Sequence, residues 1–318
     1  MKQLDVIALG EMLIDFVPTR RDLSLQDADT FERAPGGAPA NVAVGLARLG
    51  LQSGFMGKVG DDVFGKLLVT TLEQNGVDTR EIKYDSEART ALAFVSPQAK
   101  GERFMFYRHP SADMRHHPDE IDDAYVRSAK AFHFGSISLI VEPARSATLK
   151  AVTVAKDAGL LISYDPNLRL ALWHDETSAR AGMRSAWPLA DVIKISDEEL
   201  LFLTGEQSDD AARSLVTDNV KLLLVTNEKG ASYYTPDTSG RVPGFKVDVV
   251  ETTGAGDAFM AGVLGGLVRE PGAIREREGL EPLIRRANAY AALATTKRGA
   301  IPALATPDEL GAFISAQS

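Results

Sequence analysis

The chain has 318 residues and a formal net charge of -9, and 44% of its residues are hydrophobic, which is enough for one large core. The acidic balance argues against a nucleic-acid partner or an anionic membrane bound through bulk charge. The absence of cysteine excludes disulfides, thiolate zinc sites and cysteine nucleophiles. Because the N-terminus passes directly into an apolar run of strand length, with no signal segment and no stretch of ~18 apolar residues, we expect a cytoplasmic protein.

The first strand candidate is the short apolar run at residues 5–10. Pro39 and Gly50 then bound a stretch that has apolar residues on one face. Proline favours the first turn of a helix and glycine the position after its end, so the sequence predicts a helix over residues 39–49. Asn41 is expected in the first turn of this helix.

Two further extended segments predict a small second sheet. The run at residues 11–19 carries Asp15 within apolar sequence, and residues 90–96 and 103–108 alternate on either side of a turn at residues 98–101. This alternation indicates a β-hairpin, which interrupts an otherwise regular succession of strands and helices. We therefore predict one α/β domain over residues 1–318 with a β-sheet lid inserted in it, formed by about 12–34 and 86–114.

From residue 129 onward, short apolar runs alternate with helical sequence, which predicts a mostly parallel sheet with helices on both faces. The strand candidates are residues 131–134, 160–165, 192–196 and 222–226. Polar side chains cluster where these runs end, among them Asn167, Glu199, Thr226 and Asn227. Ligands of open α/β sheets bind beyond the carboxyl ends of the strands, so we expect one edge of the sheet to carry the site.

Residues 251–264 combine a glycine-rich turn with the start of an amphipathic helix. Gly254 and Gly256 permit tight backbone geometry, and apolar residues recur at helical spacing from Phe259 onward. Asp257 falls in the first turn, where unpaired backbone N–H groups and the positive end of the helix dipole favour a phosphate group. A carboxylate beside a phosphate site indicates a general base. Taken alone, the pattern is equally consistent with a turn followed by an acid that favours the helix dipole.

Other nucleotide-binding patterns are missing from the sequence. No Gly-x-x-x-x-Gly-Lys-Ser/Thr occurs, and no Gly-x-Gly-x-x-Gly opens a helix after the first strand, which argues against a P-loop protein and against nicotinamide chemistry.

The five histidines lack the spacing of a metalloprotease zinc site.

A second glycine-rich segment, residues 36–43 (GGAPANVA), lies far upstream. Together with residues 251–264 it resembles the two signatures of the PfkB (ribokinase-like) carbohydrate kinases, except that Glu251 stands where the family usually has Asp. The segments at 10–18, 106–114 and 163–169 are similar to those of fructokinases, particularly the plant type. The resemblance covers nearly the whole chain, and it implies a ribokinase-like α/β fold.

The resemblance implies an ATP-dependent sugar kinase that uses Mg²⁺ and phosphorylates a primary hydroxyl, with O6 of D-fructose the first choice. Asp257 would be the base, and the backbone N–H groups of residues 254–257 (Gly254, Ala255, Gly256 and Asp257 itself) would stabilise the charge on the transferred group. The implied sugar contacts are Asp15, Gly36, Gly37, Asn41, Arg108 and Arg169. The implied nucleotide contacts are Asn167, Glu199, Thr226, Asn227, Gly230, Gly254, Gly256 and Asn288, with Glu199 also acting indirectly on Mg²⁺.

Several of these residues have simpler explanations that remain open. Asp15 could be a capped or ion-paired acid, and Arg169 could be an ordinary surface arginine. Ser196 and Glu199 could form an ordinary helix cap. Kinases for 2-keto-3-deoxygluconate or ribose, and a non-catalytic sugar-binding relative, are the competing functions.

Glu251, Thr253, Ala294 and Gly299 match positions of a monovalent-cation site in ribokinase-like enzymes, so K⁺ is a candidate ligand. The extra methylene of Glu251 carries its carboxylate about 1.5 Å further out than that of Asp, enough to disturb an ion shell. Alternatively, Glu251 points to solvent or reaches the ion through another rotamer. A small lid sheet also has one face to bury, which predicts a homodimer through the lids.

Overall fold

The protein is described here by a computed structural model that covers residues 3–20, 23–96, 104–217 and 219–317. The strands in these ranges are β1 (Val6–Leu9), β2 (Leu13–Pro18), β3 (Phe31–Gly36), β4 (Ser53–Gly60), β5 (Asp78–Asp85), β6 (Ala91–Val95), β7 (Phe104–Tyr107), β8 (Ala131–Gly135), β9 (Leu161–Asp165), β10 (Val192–Ser196), β11 (Leu222–Asn227), β12 (Gly230–Tyr234) and β13 (Ser239–Pro243). The helices are α1 (Ala38–Arg48), α2 (Val63–Gln74), α3 (Asp123–Val126), α4 (Ala144–Asp157), α5 (Glu176–Ser185), α6 (Asp197–Thr204), α7 (Asp209–Ser214), α8 (Ala255–Arg269), α9 (Arg277–Thr295), α10 (Ala300–Ala303) and α11 (Pro307–Ala316).

The large sheet has the strand order β13-β12-β11-β10-β9-β8-β1-β4-β5 within the described ranges. Its strands pair in parallel from β5 to β11, and β12 and β13 close one edge in antiparallel pairing. One face packs against α1, α2 and α8 to α11, and the other against α3 to α7. Since both faces are covered, the strands are apolar on both sides, which explains the short apolar runs in the sequence. The predicted mostly parallel sheet with helices on both faces is confirmed.

A separate small sheet has the order β3-β2-β6-β7. The predicted hairpin is present as the antiparallel pair β6 and β7, and the predicted turn at residues 98–101 lies outside the described residues. β3 extends to Gly36, beyond the predicted lid boundary at residue 34. Its sequence, FERAPG, does not alternate between apolar and polar residues, so periodicity gave no sign of a strand there.

Both predicted helix starts are present at the points where the signature segments lie. α1 begins at Ala38, directly after Gly37, which has a φ of 111°. α8 begins at Ala255, directly after Gly254, which has a φ of 81°. Both glycines adopt backbone angles that other residues rarely take, so each turn depends on its glycine. Within the described ranges, no helix has the length and apolar character needed to span a membrane.

Candidate active site

A cavity of about 860 Å³ lies between the small sheet, the carboxyl ends of β9 to β11 and the start of α8. This is the sheet edge at which the sequence predicted a site. The predicted site residues on its wall are Asp15, Gly37, Asn41, Asn167, Arg169, Glu199, Thr226, Asn227, Gly230, Thr253, Gly254, Ala255, Gly256, Asp257 and Asn288. Gly36, Arg108, Glu251, Ala294 and Gly299 are not on it.

The first turn of α8 presents backbone N–H groups to this cavity. Ala255 N–H is donated to Thr252 O at 3.2 Å, and the first helical hydrogen bond runs from Ala258 N–H to Gly254 O at 2.9 Å. The intervening N–H groups, of Gly256 and Asp257, are the helix-terminal donors that have no place in the helical ladder. Of the predicted donors, Ala255 N–H is engaged in the turn, whereas the N–H groups of Gly256 and Asp257 remain available to an anion.

Asp257 is held in place by a residue from the other signature segment. Its Oδ2 accepts a hydrogen bond from Asn41 Nδ2 at 2.8 Å, and the carboxylate is buried. Burial raises the pKa of Asp257 to about 6, while the hydrogen bond from Asn41 opposes that rise. The carboxylate is therefore mostly ionised at neutral pH and able to accept a proton.

Asp15 lines the cavity from β2. A Cβ added to Gly36 would lie 2.2 Å from Asp15 Oδ2, so the glycine makes room for the carboxylate. Burial raises the pKa of Asp15 to about 7, Arg169 opposes this effect, and Asp257 adds to it. The carboxylate is half-buried and has no hydrogen-bond donor among the described side chains, which disfavours the simple explanation of a capped acid.

Arg169 and Asn167 follow β9 on the cavity wall. The Arg169 guanidinium donates to Leu168 O at 3.0 Å and lies 5.2 Å from the centre of the Phe104 ring on the small sheet. It thus links the small sheet to the end of β9 on the cavity wall. Asn167 has a φ of 48°, a left-handed conformation that Asn tolerates better than most residues.

Glu199 combines a capping contact with a position on the cavity wall. Ser196 Oγ accepts from Glu199 N–H at 3.1 Å, and Glu199 Oε2 accepts from Ser196 N–H at 2.7 Å, a reciprocal cap of α6. Its other oxygen, Oε1, accepts from Leu168 N–H at 2.6 Å. Each oxygen thus accepts one backbone N–H, which orients the carboxylate and leaves a lone pair on each oxygen for a further contact. Burial raises its pKa, and Lys194 opposes that rise.

The far wall of the cavity is built by the β11 to β13 edge and α9. Thr226 and Asn227 end β11, and Gly230 begins β12 with a φ of 124°. Asn288 on α9 donates through Nδ2 to Val242 O at 3.0 Å and Pro243 O at 3.1 Å. The side-chain amide therefore ties α9 to the antiparallel edge, where four of the eight predicted nucleotide contacts lie: Thr226, Asn227, Gly230 and Asn288.

Two predicted contacts are engaged elsewhere. Arg108 is buried, and its Nε donates to Asp113 Oδ2 at 2.7 Å, so its guanidinium is in an ion pair rather than on the cavity wall. Glu251 is also buried, with Oε2 accepting from Gly299 N–H at 3.1 Å. The alternative in which Glu251 points to solvent is therefore wrong. Its carboxylate bonds a residue of the expected cation site instead.

Sequence reasoning missed two buried charged residues on the cavity wall, Glu11 and Lys194. Glu11 Oε1 accepts from Ala38 N–H at 3.2 Å, while Oε2 has no partner among the described residues, and burial raises the pKa of Glu11 to about 7. Lys194 pairs with Asp165 at 2.9 Å. A charged residue inside an otherwise apolar strand or strand end was the available signal in both cases.

Comparison with known proteins places this geometry in a family. The model of the pfkB family of carbohydrate kinases matches residues 3–307. A probable fructokinase-4 from Arabidopsis thaliana is 54% identical over 313 residues, which are 97% of this chain and 96% of the relative. A fructokinase structure from Xylella fastidiosa with bound ATP has a TM-score of 0.89 at 34% identity, covering 100% of this chain and 99% of its own.

A double mutant of the fructokinase from Vibrio cholerae O395, with fructose, ADP and a potassium ion bound, has a TM-score of 0.87 at 36% identity. That likeness covers 98% of this chain and 99% of the other. The fold and the site thus define a phosphotransferase that acts on a sugar hydroxyl. The chain belongs to the pfkB family of carbohydrate kinases.

Proposed function

We propose that this protein is an ATP-dependent fructokinase that transfers the γ-phosphoryl group of ATP to O6 of D-fructose. The observation that carries the proposal is Asp257, a buried carboxylate held by Asn41 in the first turn of α8, beside two helix-terminal N–H groups. A base next to an anion site is the arrangement that phosphoryl transfer from ATP to an alcohol needs. The fructokinase relatives, at 34–54% identity over nearly the full chain, support fructose as the acceptor.

Asp257 accepts the proton of the attacking hydroxyl in this proposal. Asp257 belongs to the same first turn of α8 as the N–H groups of Gly256 and Asp257, so in this proposal the proton acceptor lies close to the point where negative charge develops on the phosphoryl oxygens. The lid residues Phe104 and Phe106 line the cavity from above and keep water from the site, which would otherwise favour hydrolysis of ATP.

The sugar is proposed to lie between the lid and α1. Asp15 offers an acceptor without a donor among the described side chains, and Asn41 Oδ1 is buried without a hydrogen-bond partner in the same ranges. Glu11 Oε2 is unpartnered in the same way. Sugar hydroxyls would satisfy these oxygens, and Gly37 lets the ligand approach the backbone.

The nucleotide is proposed to occupy the part of the cavity lined by Thr226, Asn227, Gly230 and Asn288. Among the described residues no group of three or more His, Asp or Glu side chains is arranged to hold a metal ion. Mg²⁺ would therefore be held by the phosphates of ATP and by water, with Glu199 on the outside of that water shell. When bound, the ion neutralises charge on the phosphates.

The lid is proposed to mediate a homodimer. The outer face of the small sheet carries an aromatic cluster, in which the Phe94 ring centre lies 5.1 Å from that of Phe16, 5.3 Å from Phe31 and 5.7 Å from Tyr107. Tyr107 is 60% exposed and its neighbour Met105 is 37% exposed. Apolar surface of this kind is stabilised when a second copy covers it.

A monovalent cation and a cytoplasmic location complete the proposal. A potassium ion is bound in the Vibrio cholerae relative. In this chain the Glu251 carboxylate contacts Gly299 N–H, so we propose that K⁺ binding is weakened or altered rather than retained unchanged. The acidic, cysteine-free chain supports a location in the cytoplasm.

A coupled assay of ATP consumption over fructose, glucose, ribose and 2-keto-3-deoxygluconate tests the proposed function. Fructose should give the highest kcat/KM of the four sugars. A clear preference for ribose or 2-keto-3-deoxygluconate would replace the substrate but keep the kinase. Sugar binding without turnover of any of them would indicate a non-catalytic relative.

A further inference from the structure

Lys194 lies in the middle of β10, between Ile193 and Ile195. Its side chain is only 8% exposed, yet it forms part of the cavity wall. Nζ donates to Asp165 Oδ2 at 2.9 Å, which is its single hydrogen bond to the described residues. Because an ammonium group has three donors, two N–H groups remain for a ligand in the cavity.

The charges around Lys194 explain why it stays protonated at this depth. Burial alone would lower the pKa of Lys194, but the carboxylates of Asp165, Glu199 and Asp257 outweigh burial and raise it. Without the ammonium, these three carboxylates would face an incoming phosphate as an uncompensated negative cluster. Lys194 thus supplies a positive charge beside these three carboxylates, on the wall of the cavity.

The position of the ammonium relative to α8 is the second observation. A Cβ added to Gly256 would lie 2.9 Å from Lys194 Nζ. The φ of Gly256 is not in the left-handed region, so the close approach of the ammonium, rather than the backbone angle, is what a side chain at this position would meet. Lys194 therefore lies against the same turn whose free N–H groups form the anion site.

A cation beside a helix N-terminus is unfavourable by itself, since the helix dipole is positive at that end. An anion placed between the two resolves the conflict. Asp165 provides one anionic oxygen, and its other oxygen, Oδ1, is buried without a partner in the described ranges. The remaining place next to the ammonium and the α8 turn is open to the cavity, where a phosphoryl group would enter.

We propose that Lys194 is a further catalytic residue, whose ammonium contacts the phosphoryl group while it is transferred. This inference rests on the proposed kinase function and deepens it. Asp165 is a positioning residue that holds the ammonium towards the first turn of α8.

In the transfer step, the sugar oxygen forms a bond to the γ-phosphorus, and its proton passes to Asp257. The bond from the γ-phosphorus to the bridging oxygen breaks, and its electron pair leaves on ADP. Lys194 keeps its proton throughout and stabilises the charge on the phosphoryl oxygens, together with the N–H groups of Gly256 and Asp257.

The test compares Asp165→Asn with the double variant Asp165→Asn/Lys194→Met. The single variant keeps the ammonium, and the double variant removes both members of the Lys194–Asp165 pair, so neither of these two charges is left without the other. Relative to the single variant, the double variant should lose about 10²- to 10³-fold in kcat, the usual cost of one donor to a developing anion. Fructose and ADP affinities should change by less than about threefold, since the contact belongs to the transferred group.

A binding measurement gives a second readout that does not depend on turnover. ADP is titrated calorimetrically in the presence of fructose and Mg²⁺, with and without aluminium fluoride, which beside ADP mimics a phosphoryl group in transfer. The parent and Asp165→Asn should bind ADP more tightly with aluminium fluoride. In the double variant, the increase in ADP affinity on adding aluminium fluoride should be at least about tenfold smaller than in Asp165→Asn.

Lys221→Met is the matched control, because Lys221 forms an ion pair with Asp191 at 2.9 Å on the surface, and it should behave as the parent. Should the double variant fail to fold by circular dichroism, Lys194→Gln, which removes the charge but can still bond Asp165, carries the same expectations. The reference is Asp165→Asn for the double variant and the parent for Lys194→Gln. The inference is overturned if the variant tested equals its reference both in kcat and in the increase in ADP affinity with aluminium fluoride. It is also overturned if the variant loses as much affinity for ADP and fructose as it loses in kcat. A parent that phosphorylates none of the sugars would instead refute the proposed function.

Discussion

The two walls of the cavity are built very differently. The wall formed by β9, β10 and α8 belongs to the large sheet, and its charged groups are mutually anchored, as in Asn41 to Asp257 and Lys194 to Asp165. The lid wall is one thin sheet whose inner cluster has four buried hydrophobic side chains in the described ranges, Leu13, Ala91, Ala93 and Val95.

This difference separates two tasks. Groups that take part in the chemistry must hold their geometry to a fraction of an ångström, so they lie on the wall with the deeper core. The lid carries Asp15, which has no hydrogen-bond donor among the described side chains, and in the proposed function the sugar supplies that donor. Substitutions on the first wall should therefore change kcat, and those on the lid should change the affinity for sugar.

The largest effect is expected for Asp257→Asn. It should lower kcat by about 10²-fold or more, because the amide cannot accept the hydroxyl proton, while fructose affinity stays the same. Stopped-time assays and sugar titration measure the two quantities. Asp308→Asn, an exposed acid in the first turn of α11, is the matched control. A kcat within about threefold of the parent would remove Asp257 from the role of base.

Asp15→Asn should act mainly on the affinity for fructose rather than on kcat. We expect fructose affinity to fall by about 10- to 100-fold, since hydrogen bonds to a charged group are worth about 1.5–3 kcal/mol, with a much smaller change in kcat. Calorimetric titration of fructose measures the affinity. A loss confined to kcat would contradict the division between the two walls.

The pH dependence of kcat should report the buried base. With the pKa of Asp257 raised to about 6 by burial, the ionised fraction falls as the pH drops through that value. At saturating fructose, kcat should therefore decrease about tenfold per pH unit below the pKa. The kcat/KM profile should have a second acid limb from Asp15, whose pKa is about 7. A kcat that stays constant between about pH 5 and about pH 7 would exclude a base with such a pKa.

Glu251→Asp tests the altered cation site behind the α8 turn. The parent should be activated only weakly by K⁺ relative to tetramethylammonium, and the substitution should increase this activation by a few fold. Initial rates at constant ionic strength measure it. Strong K⁺ activation of the parent that the substitution leaves unchanged would mean that the contact of Glu251 with Gly299 does not perturb the site.

The smallest effect on turnover is expected from the outer face of the lid. Tyr107→Lys should separate the proposed dimer without changing the cavity, because Tyr107 is exposed on the face that points away from it. Light scattering should give the mass of a dimer for the parent and a mass near 34.2 kDa for the variant. A parent that is already a monomer at micromolar concentration would exclude the lid dimer.

The sequence predicted the parts of the site that local patterns define. Asp257 lies in a glycine turn that opens a helix, and Asn41 follows a proline at a helix start, so each could be placed from its neighbours. Lys194 could not, because its partner Asp165 lies on an adjacent strand, and only the order of the sheet brings the two together. The contact of Glu251 with Gly299 likewise joins residues 48 positions apart.

The strands were likewise predicted where a local pattern defines them and missed where only pairing with another strand does. The apolar runs of the large sheet were recognised because burial on both faces leaves a continuous signal. β3 was missed because its Pro35 and charged residues suit an edge strand, which is stabilised by pairing with β2 rather than by its own apolar pattern.

The hydrogen bond between Asn41 and Asp257 joins residues 216 positions apart. During synthesis the chain emerges from its N-terminus, so Asn41 is made long before α8, which carries the proposed base. Contacts between such distant positions form late in folding, because a long loop must close first. The contact that holds Asp257 therefore forms only when the chain is nearly complete, and under the proposed function we expect nascent or truncated chains to be unable to consume ATP.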